Sequence, residues 1–269
     1  MSIILRADNF TVPEESALDM RGLQTDSYGT VYGGHKAIFD PLQYGITGTL
    51  ATGTVLQNLV FEKPTATVTS GLTTQTVAAA KGFPFAITTG STEYISLPDV
   101  FNLLTLGNEP SVVVSVWLTN RDLSIINQGV VGCAYKVTLG AQWYISTGIA
   151  AGKLRLGAQG LTTDVTPTLN VPELYTIYFK RISAGVMQIQ FCRNGVVVST
   201  QNSVYPFRNP VDQGSAAYGI PKLGYVEGFG YTWNGVVHRL QVFKVNPTTF
   251  NLTNWLSTEY SLNSTRFVV

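Results

Sequence analysis

The sequence predicts an all-β domain, a β-sandwich or barrel of short strands, with an extended β-rich stretch ahead of it. Three observations predict this class. From Phe83 onward, short apolar or alternating runs recur at near-regular spacing between glycine-rich turns. Helical periodicity is almost absent, with a weak instance at residues 14–20 and a second near the C-terminus. An Asn-Gly pair at 194–195 lies between two runs that alternate with a period of two.

Residues 1–81 are rich in Gly, Thr and Ala, as in GTVYGG and YGITGTLATGTV. Short β-prone pieces fall at residues 30–32, 55–61 and 66–69. So few hydrophobic residues bury little on their own. The stretch is therefore expected to be an extended arm docked on a partner, or a small β subdomain. Residues 82–269 are expected to form the sandwich itself. FAITTGSTEYISLP gives two strand pieces around Gly90 and ends at Pro98. SVVVSVWLT is continuously apolar and bounded by turn residues, as a buried strand requires. GVVGCAYKVTL follows, then QWYISTGIAAGKLRLG, whose residues 148–152 read as a hairpin loop. LYTIYFKR and VMQIQFCR alternate on either side of a Ser-Ala-Gly turn. Leu252, Trp255 and Leu256 stand at i, i+3 and i+4, the apolar face of a short helix.

Asn-Gly-Val-Val occurs twice, at residues 194–197 and 234–237. Asn-Gly favours a two-residue turn in which both residues have φ > 0. If Asn194 and Gly195 form that turn, Arg193 faces Val196, Phe191 faces Val198 and Ile189 faces Thr200. Met187, Ile189, Phe191, Val196 and Val198 then share one face, the pattern of a half-buried hairpin. The second copy follows Tyr231-Thr232-Trp233, which reads as a loop lying over the sheet. Gly235 is expected to open the last long strand and to allow close backbone approach. The sequences around the two copies differ, so the pair is not an internal repeat.

Charged residues make up 12% of the chain, about half the usual share, and hydrophobic residues 45%. Lys+Arg number 17 and Asp+Glu 16, so no strong field draws nucleic acid or an anionic membrane. A charge-poor surface suits permanent assembly contacts or carbohydrate. Cys133 and Cys192 form no disulfide framework and are expected to be reduced thiols. The start, MSIILRADNF, is too short for a signal-peptide core, and no run has the length of a membrane span.

In their order and spacing, these strings resemble laminin-G-like domains of the concanavalin-A-like jelly-roll superfamily, over about residues 83–262. The resemblance rests on VVVSVWLT ending at Trp117, WYISTGIAAGKLRLG, LYTIYFKR, MQIQFCRNGVVVST, the strand that opens at Gly235, and LTNWLSTEY. It implies a β-sandwich jelly roll of lectin type. Departures from the family pattern are Leu174-Tyr175 in place of a Trp-His pair, the absence of a C-terminal cysteine pair, and no acidic cluster for calcium.

Glycosidases need two carboxylates facing one bond, and the acids here are isolated along the sequence. His35 and His238 are the two histidines, too few for a metal cluster, and His238 reads as structural within a strand. No cofactor, metal site or catalytic residue is expected, and the chain is not expected to be an enzyme. Candidate ligand contacts are Tyr218, Tyr231, Trp233, Asp212 and Arg208, within an aromatic-rich segment at residues 205–233 that suits sugar stacking, a protein interface or simple capping of the core. Two functions follow as expectations. The first is a structural component of a tailed-phage virion, made in a bacterial cytoplasm, docked on other virion proteins through residues 1–81 and homo-oligomeric. The second is a glycan-binding adhesin or carbohydrate-binding module, and a glycoside hydrolase ranks third. The partners expected are virion proteins and a host-surface glycan, without nucleic acid and without membrane insertion.

Overall fold

The structure, a computed structural model, describes residues 35–43, 46–60, 63–69, 75–86, 93–103, 111–134, 141–183, 186–203, 219–226 and 229–268. It is a β-sandwich. In chain order the strands are β1 (His35–Phe39), β2 (Val55–Leu56), β3 (Ala66–Val68), β4 (Phe83–Phe85), β5 (Ile95–Ser96) and β6 (Ser111–Asn120). Then come β7 (Gln128–Ala134), β8 (Ala141–Thr147), β9 (Leu154–Ala158), β10 (Leu161–Val165) and β11 (Pro172–Ser183). The last are β12 (Val186–Arg193), β13 (Val196–Ser203), β14 (Lys222–Leu223), β15 (Tyr231–Thr232) and β16 (Gly235–Val245). A short helix α1 (Val77–Ala80) precedes β4, and α2 (Leu252–Asn263) follows β16.

A seven-stranded sheet runs β1-β16-β6-β11-β12-β13, with β4 also on β16. A nine-stranded sheet runs β10-β9-β8-β7-β14-β5-β3-β2, with β15 also on β7. Pairing is antiparallel except for β15 on β7. The main core lies between the sheets. A second apolar cluster lies between the seven-stranded sheet and α2.

Strand β6 shows why its sequence lacks alternation. Val112, Val114, Val116 and Leu118 enter the main core, while Val113 and Trp117 enter the cluster under α2. Both faces are covered, so all ten residues are buried. Helix α2 begins where the Asn251 side chain accepts from the Asn254 amide at 3.0 Å, a local N-cap. Leu252, Trp255 and Leu256 form the face toward the sheet, as their spacing predicts, and Glu259 and Asn263 extend it.

Glu259 is held by a buried ionic network. β16 carries a bulge at His238, because Val237 pairs with Leu118 while Arg239 pairs with Trp117. The extra residue shifts the inward phase from Val237 to Leu240 and turns Arg239 toward α2. Arg239 lies 3.2 Å from Asp40 and 3.4 Å from Glu259, with all three side chains 1% exposed or less. Arg266 reaches Asp40 at 2.7 Å. Trp117 Nε1 and Asn263 Nδ2 each donate to Glu259 at 3.1 Å. Two guanidinium groups thus neutralise two carboxylates and join the end of β1, the middle of β16, α2 and the segment after it.

Residues 35–81, expected in an arm or subdomain, supply β1 to one sheet and β2 and β3 to the other. Residues 1–34 lie outside the described residues, as do the predicted pieces at 14–20 and 30–32. Asn58 closes the sandwich beside β1: its Oδ1 accepts from Ile38 N at 3.0 Å and its Nδ2 donates to Lys36 O at 3.2 Å. At the opposite edge, Gln201 of β13 donates to Thr162 O of β10 at 3.0 Å.

The Asn194-Gly195 turn forms as expected, with φ of 47° and 84°. Arg193 faces Val196, but the next registers slip. Phe191 faces Ser199 and Ile189 faces Gln201, because β13 is bulged at Val198. Ser199, Gln201 and Ser203 therefore oppose the buried residues Phe191, Ile189 and Met187. Val196 and Val198, expected on the apolar face, are 63% and 43% exposed. The second copy opens β16 as expected. A Cβ at Gly235 would lie 2.1 Å from the Trp233 ring and 2.4 Å from Thr119 O.

Removing one member of a buried ionic network leaves the others desolvated and uncompensated, at a cost of about 3–5 kcal/mol, whereas an exposed pair contributes about 0–1 kcal/mol. Urea unfolding of Arg239→Met is expected to show the first loss, and Asp164→Asn, which breaks the surface pair with Arg155, only the second. Similar small losses in both variants would contradict the structural role assigned to the network.

Candidate functional site

Three of the five residues predicted for ligand contact, Arg208, Asp212 and Tyr218, lie outside the described residues. Tyr231 is in β15, paired with Gln128, and its side chain is not described. Trp233 is a correction. It is fully buried in the main core, its Nε1 donates to Asn120 Oδ1 at 3.1 Å, and it packs on Phe85. A ring enclosed on both faces has none to offer a ligand, so the core-capping alternative holds for Trp233. Trp117 and Trp143 are likewise 0% exposed.

An array of aromatic and polar side chains lies on the outer face of the nine-stranded sheet. Directly paired residues share a face. One row therefore crosses the sheet through Thr162, Gly157, Tyr144, Gly132, Lys222, Ser96, Thr67 and Val55. Trp143 and Ile145 point inward to the core, so Tyr144 must point outward. Its half-buried ring lies where a Gly157 side chain would be, with Cζ 2.2 Å from an added Cβ. Phe229 leans on Tyr144 with centroids 5.0 Å apart. In the neighbouring row Arg155 pairs with Asp164 at 2.7 and 2.9 Å, a two-pronged contact that holds the Asp164 carboxyl below its ordinary pKa. Farther along, Lys222 Nζ lies 4.7 Å from the Tyr94 ring centroid and 5.3 Å from that of Tyr225. The face thus combines half-buried rings, hydroxyls and one fixed ion pair.

A separate cavity of about 210 Å³ lies at the end of the β6–β16 pair. Arg121, Asn170, Thr119 and His238 supply its polar wall, and Ala80, Pro172, Val236 and Phe267 the rest. The His238 bulge accounts for part of this wall. Its Nδ1 lies 2.7 Å from Lys81 O, which can only accept, so Nδ1 carries the hydrogen. Nε2 then accepts from the Thr119 hydroxyl at 2.8 Å. The ring stacks on Phe267, with centroids 4.9 Å apart and planes 15° from parallel. Burial, reinforced by Arg121, Lys81 and Arg266, pushes its pKa down to about 4. Burial also pushes the Cys192 thiol up to about 12, and both cysteines are buried thiols outside any disulfide.

Sequence reasoning missed Tyr144, Arg155 and Asp164 as a group. The alternation in QWYIST and LRLGA puts Tyr144 and Arg155 on the face opposite Trp143 and Leu156. Which face met solvent depended on the sheet packing. Tyr225 did fall within the aromatic-rich segment singled out from the sequence.

No protein-family model matches this sequence. No curated protein sequence matches it either. Solved structures do resemble the fold. Trypanosoma rangeli sialidase in complex with 2,3-difluorosialic acid aligns with a TM-score of 0.56 at 11% identity, over 93% of this chain and 39% of that one. The same sialidase with sialic acid aligns with a TM-score of 0.56 at 11% identity, over 91% and 38%. This chain spans about two fifths of that protein's length, and at this identity the likeness shows the β-sandwich fold alone. Botulinum neurotoxin type C, described as entering cells through interaction with two ganglioside molecules, aligns at 10% identity over 87% of this chain and 52% of that one, with a TM-score of 0.48.

His238 gives the fold a pH dependence. An unfolded histidine titrates near 6.5 and the folded one near 4, so the unfolded chain takes up the proton first as pH falls. The contribution is fully present above pH 6.5 and is lost as pH drops through the window from 6.5 to 4, by about 3 kcal/mol in total. Urea unfolding of wild type and His238→Asn between neutral pH and pH 4 is expected to show a shallower decline in the variant. Identical slopes would place the dependence elsewhere.

Proposed function

We propose that this chain is a glycan-binding module of the laminin-G-like, lectin-type β-sandwich class, which takes sugar on the outer face of its nine-stranded sheet. The observation that carries this reading is the Tyr144 row. A half-buried ring is laid over Gly157, with Phe229 leaning on it and Arg155 at its hydroxyl, beside further hydroxyls and the Arg155–Asp164 pair. Sugar recognition needs a ring face for the C–H side of a pyranose and fixed donors and acceptors for its hydroxyls. Arg155 and Asp164 supply donors and acceptors whose orientation is already set by each other. The low charge of 12% agrees with a surface that works through rings and neutral polar groups. The fold likeness to a sialidase solved with sialic acid makes acidic sugars the first ligands to test.

A virion component displaying this module is the second reading, and the low charge favours it equally. An arm of the kind this reading needs would draw on residues ahead of β1, since β1 to β3 belong to the sheets. Size-exclusion chromatography with light scattering separates the readings: a stable oligomer of the full chain favours assembly, and a monomer removes its main support.

The glycan reading is tested on an array followed by titration of the best ligand. Truncating a half-buried aromatic ring removes about 1.5–3 kcal/mol of contact, so Tyr144→Ala is expected to weaken binding roughly 10- to 100-fold. Arg155→Gln is expected to weaken it less and to narrow the difference between sugars that differ in one hydroxyl. An empty array, or full affinity in Tyr144→Ala, would overturn the proposal.

A further inference from the structure

The cavity at the end of the β6–β16 pair lies on elements remote in sequence from the Tyr144 row. Its walls divide sharply by chemistry. Pro172, Val236, Phe267 and Ala80 make its apolar side, and Thr119, His238, Asn170 and the Arg121 guanidinium its polar side. The size, about 210 Å³, exceeds that of an engineered apolar cavity of roughly 150 Å³ that admits benzene.

Arg121 is poorly neutralised for a residue in such a place. Its Nη1 donates to the neutral amide oxygen of Gln75 at 2.5 Å, and its backbone N donates to Asn234 O at 3.2 Å. Among the described residues no carboxylate lines the cavity and none forms an ion pair with Arg121. Burial lowers its pKa, with no acid acting in the other direction. Arg121 itself disfavours a proton on His238, as do Lys81 and Arg266, the last of them paired with Asp40. Gln75 engages one nitrogen of the guanidinium, and among the described residues no side chain takes the others, whose fork suits a planar anion. Asn170, in the left-handed region at φ 60° and anchored by its N–H to Asn120 O at 2.8 Å, adds an exposed amide at the mouth.

We infer that this cavity is a binding site for a small monocarboxylate with an apolar body, its carboxylate on Arg121 and its body against Phe267, Val236 and Pro172. The apolar side of the wall selects against free inorganic anions, which would lose hydration without apolar contact in return. The guanidinium selects against the neutral isostere, because a desolvated charge would stay unpaired. A bound anion also stabilises the imidazolium of His238, so occupancy raises the imidazole pKa. This site is independent of the glycan proposal and involves none of its residues.

The test uses the full chain and three probes: benzoate, benzamide and acetate. Binding is followed by ligand-observed NMR and by the titration of the His238 ring, assigned with His35→Gln because the chain has two histidines. Benzoate is expected to bind with a Kd of about 1 mM or tighter, and benzamide and acetate at least about tenfold more weakly. Benzoate is also expected to shift the His238 titration upward. Arg121→Gln, which removes no core contact, is expected to melt like wild type while losing benzoate about tenfold or more, and Arg121→Lys to recover part of it. The inference is overturned if benzoate does not bind, if benzamide binds equally well, or if Arg121→Gln keeps wild-type affinity. Because neither Tyr144 nor Arg155 touches the cavity, Tyr144→Ala should leave benzoate binding unchanged, and a loss there would also count against the assignment.

Discussion

Arg239 is the point on which the outer half of this structure depends. A guanidinium with 1% exposure is tolerable only where carboxylates meet it, and Asp40 and Glu259 do so from opposite directions in the sequence. Asp40 lies just past the first described strand and Glu259 in the last helix. Neither can be placed unless β1 is paired to β16 and α2 is docked on the sheet. Burying charge is costly, and a hydrophobic substitute is often as stable. What the network adds is a fixed mutual position for four segments that an apolar contact alone would let slide.

The bulge at His238 makes that arrangement possible. One extra residue in β16 changes which residues face inward, so that Val237 and Leu240 both enter the main core. His238 and Arg239 are released to the other side. His238 then bridges Thr119 and the Lys81 carbonyl, and Arg239 enters its network. The same irregularity thus shapes the cavity wall and anchors the helix. β-bulges commonly re-aim side chains in this way. On the other sheet the Tyr144 row runs through direct pairs on eight strands, Gly132 and Tyr144 pairing between two register shifts of the β7–β8 ladder.

Much of the fold was legible in the sequence because its signals are local. Asn194-Gly195 reads as a turn because both residues must adopt positive φ, and they do. The run in β6 reads as buried because nothing in it is charged. Leu252, Trp255 and Leu256 read as one helical face from their spacing. The candidate site was less legible. Trp233 and Tyr144 are both aromatic residues near glycines, yet one is enclosed and the other half-buried. The sequence around each gives its alternation but not which side the second sheet will cover.

The sequence by itself therefore determined the class of fold, the tight turn and the closing helix, since backbone conformation and side-chain periodicity are properties of a few adjacent residues. Only the tertiary structure decided the registers. The slip at Val198 puts Ser199 opposite Phe191 where Val198 was expected, and the bulge at His238 brings Asp40, Arg239 and Glu259 together. Such choices depend on what packs on each face and on pairing between residues far apart in the chain, which no local pattern encodes.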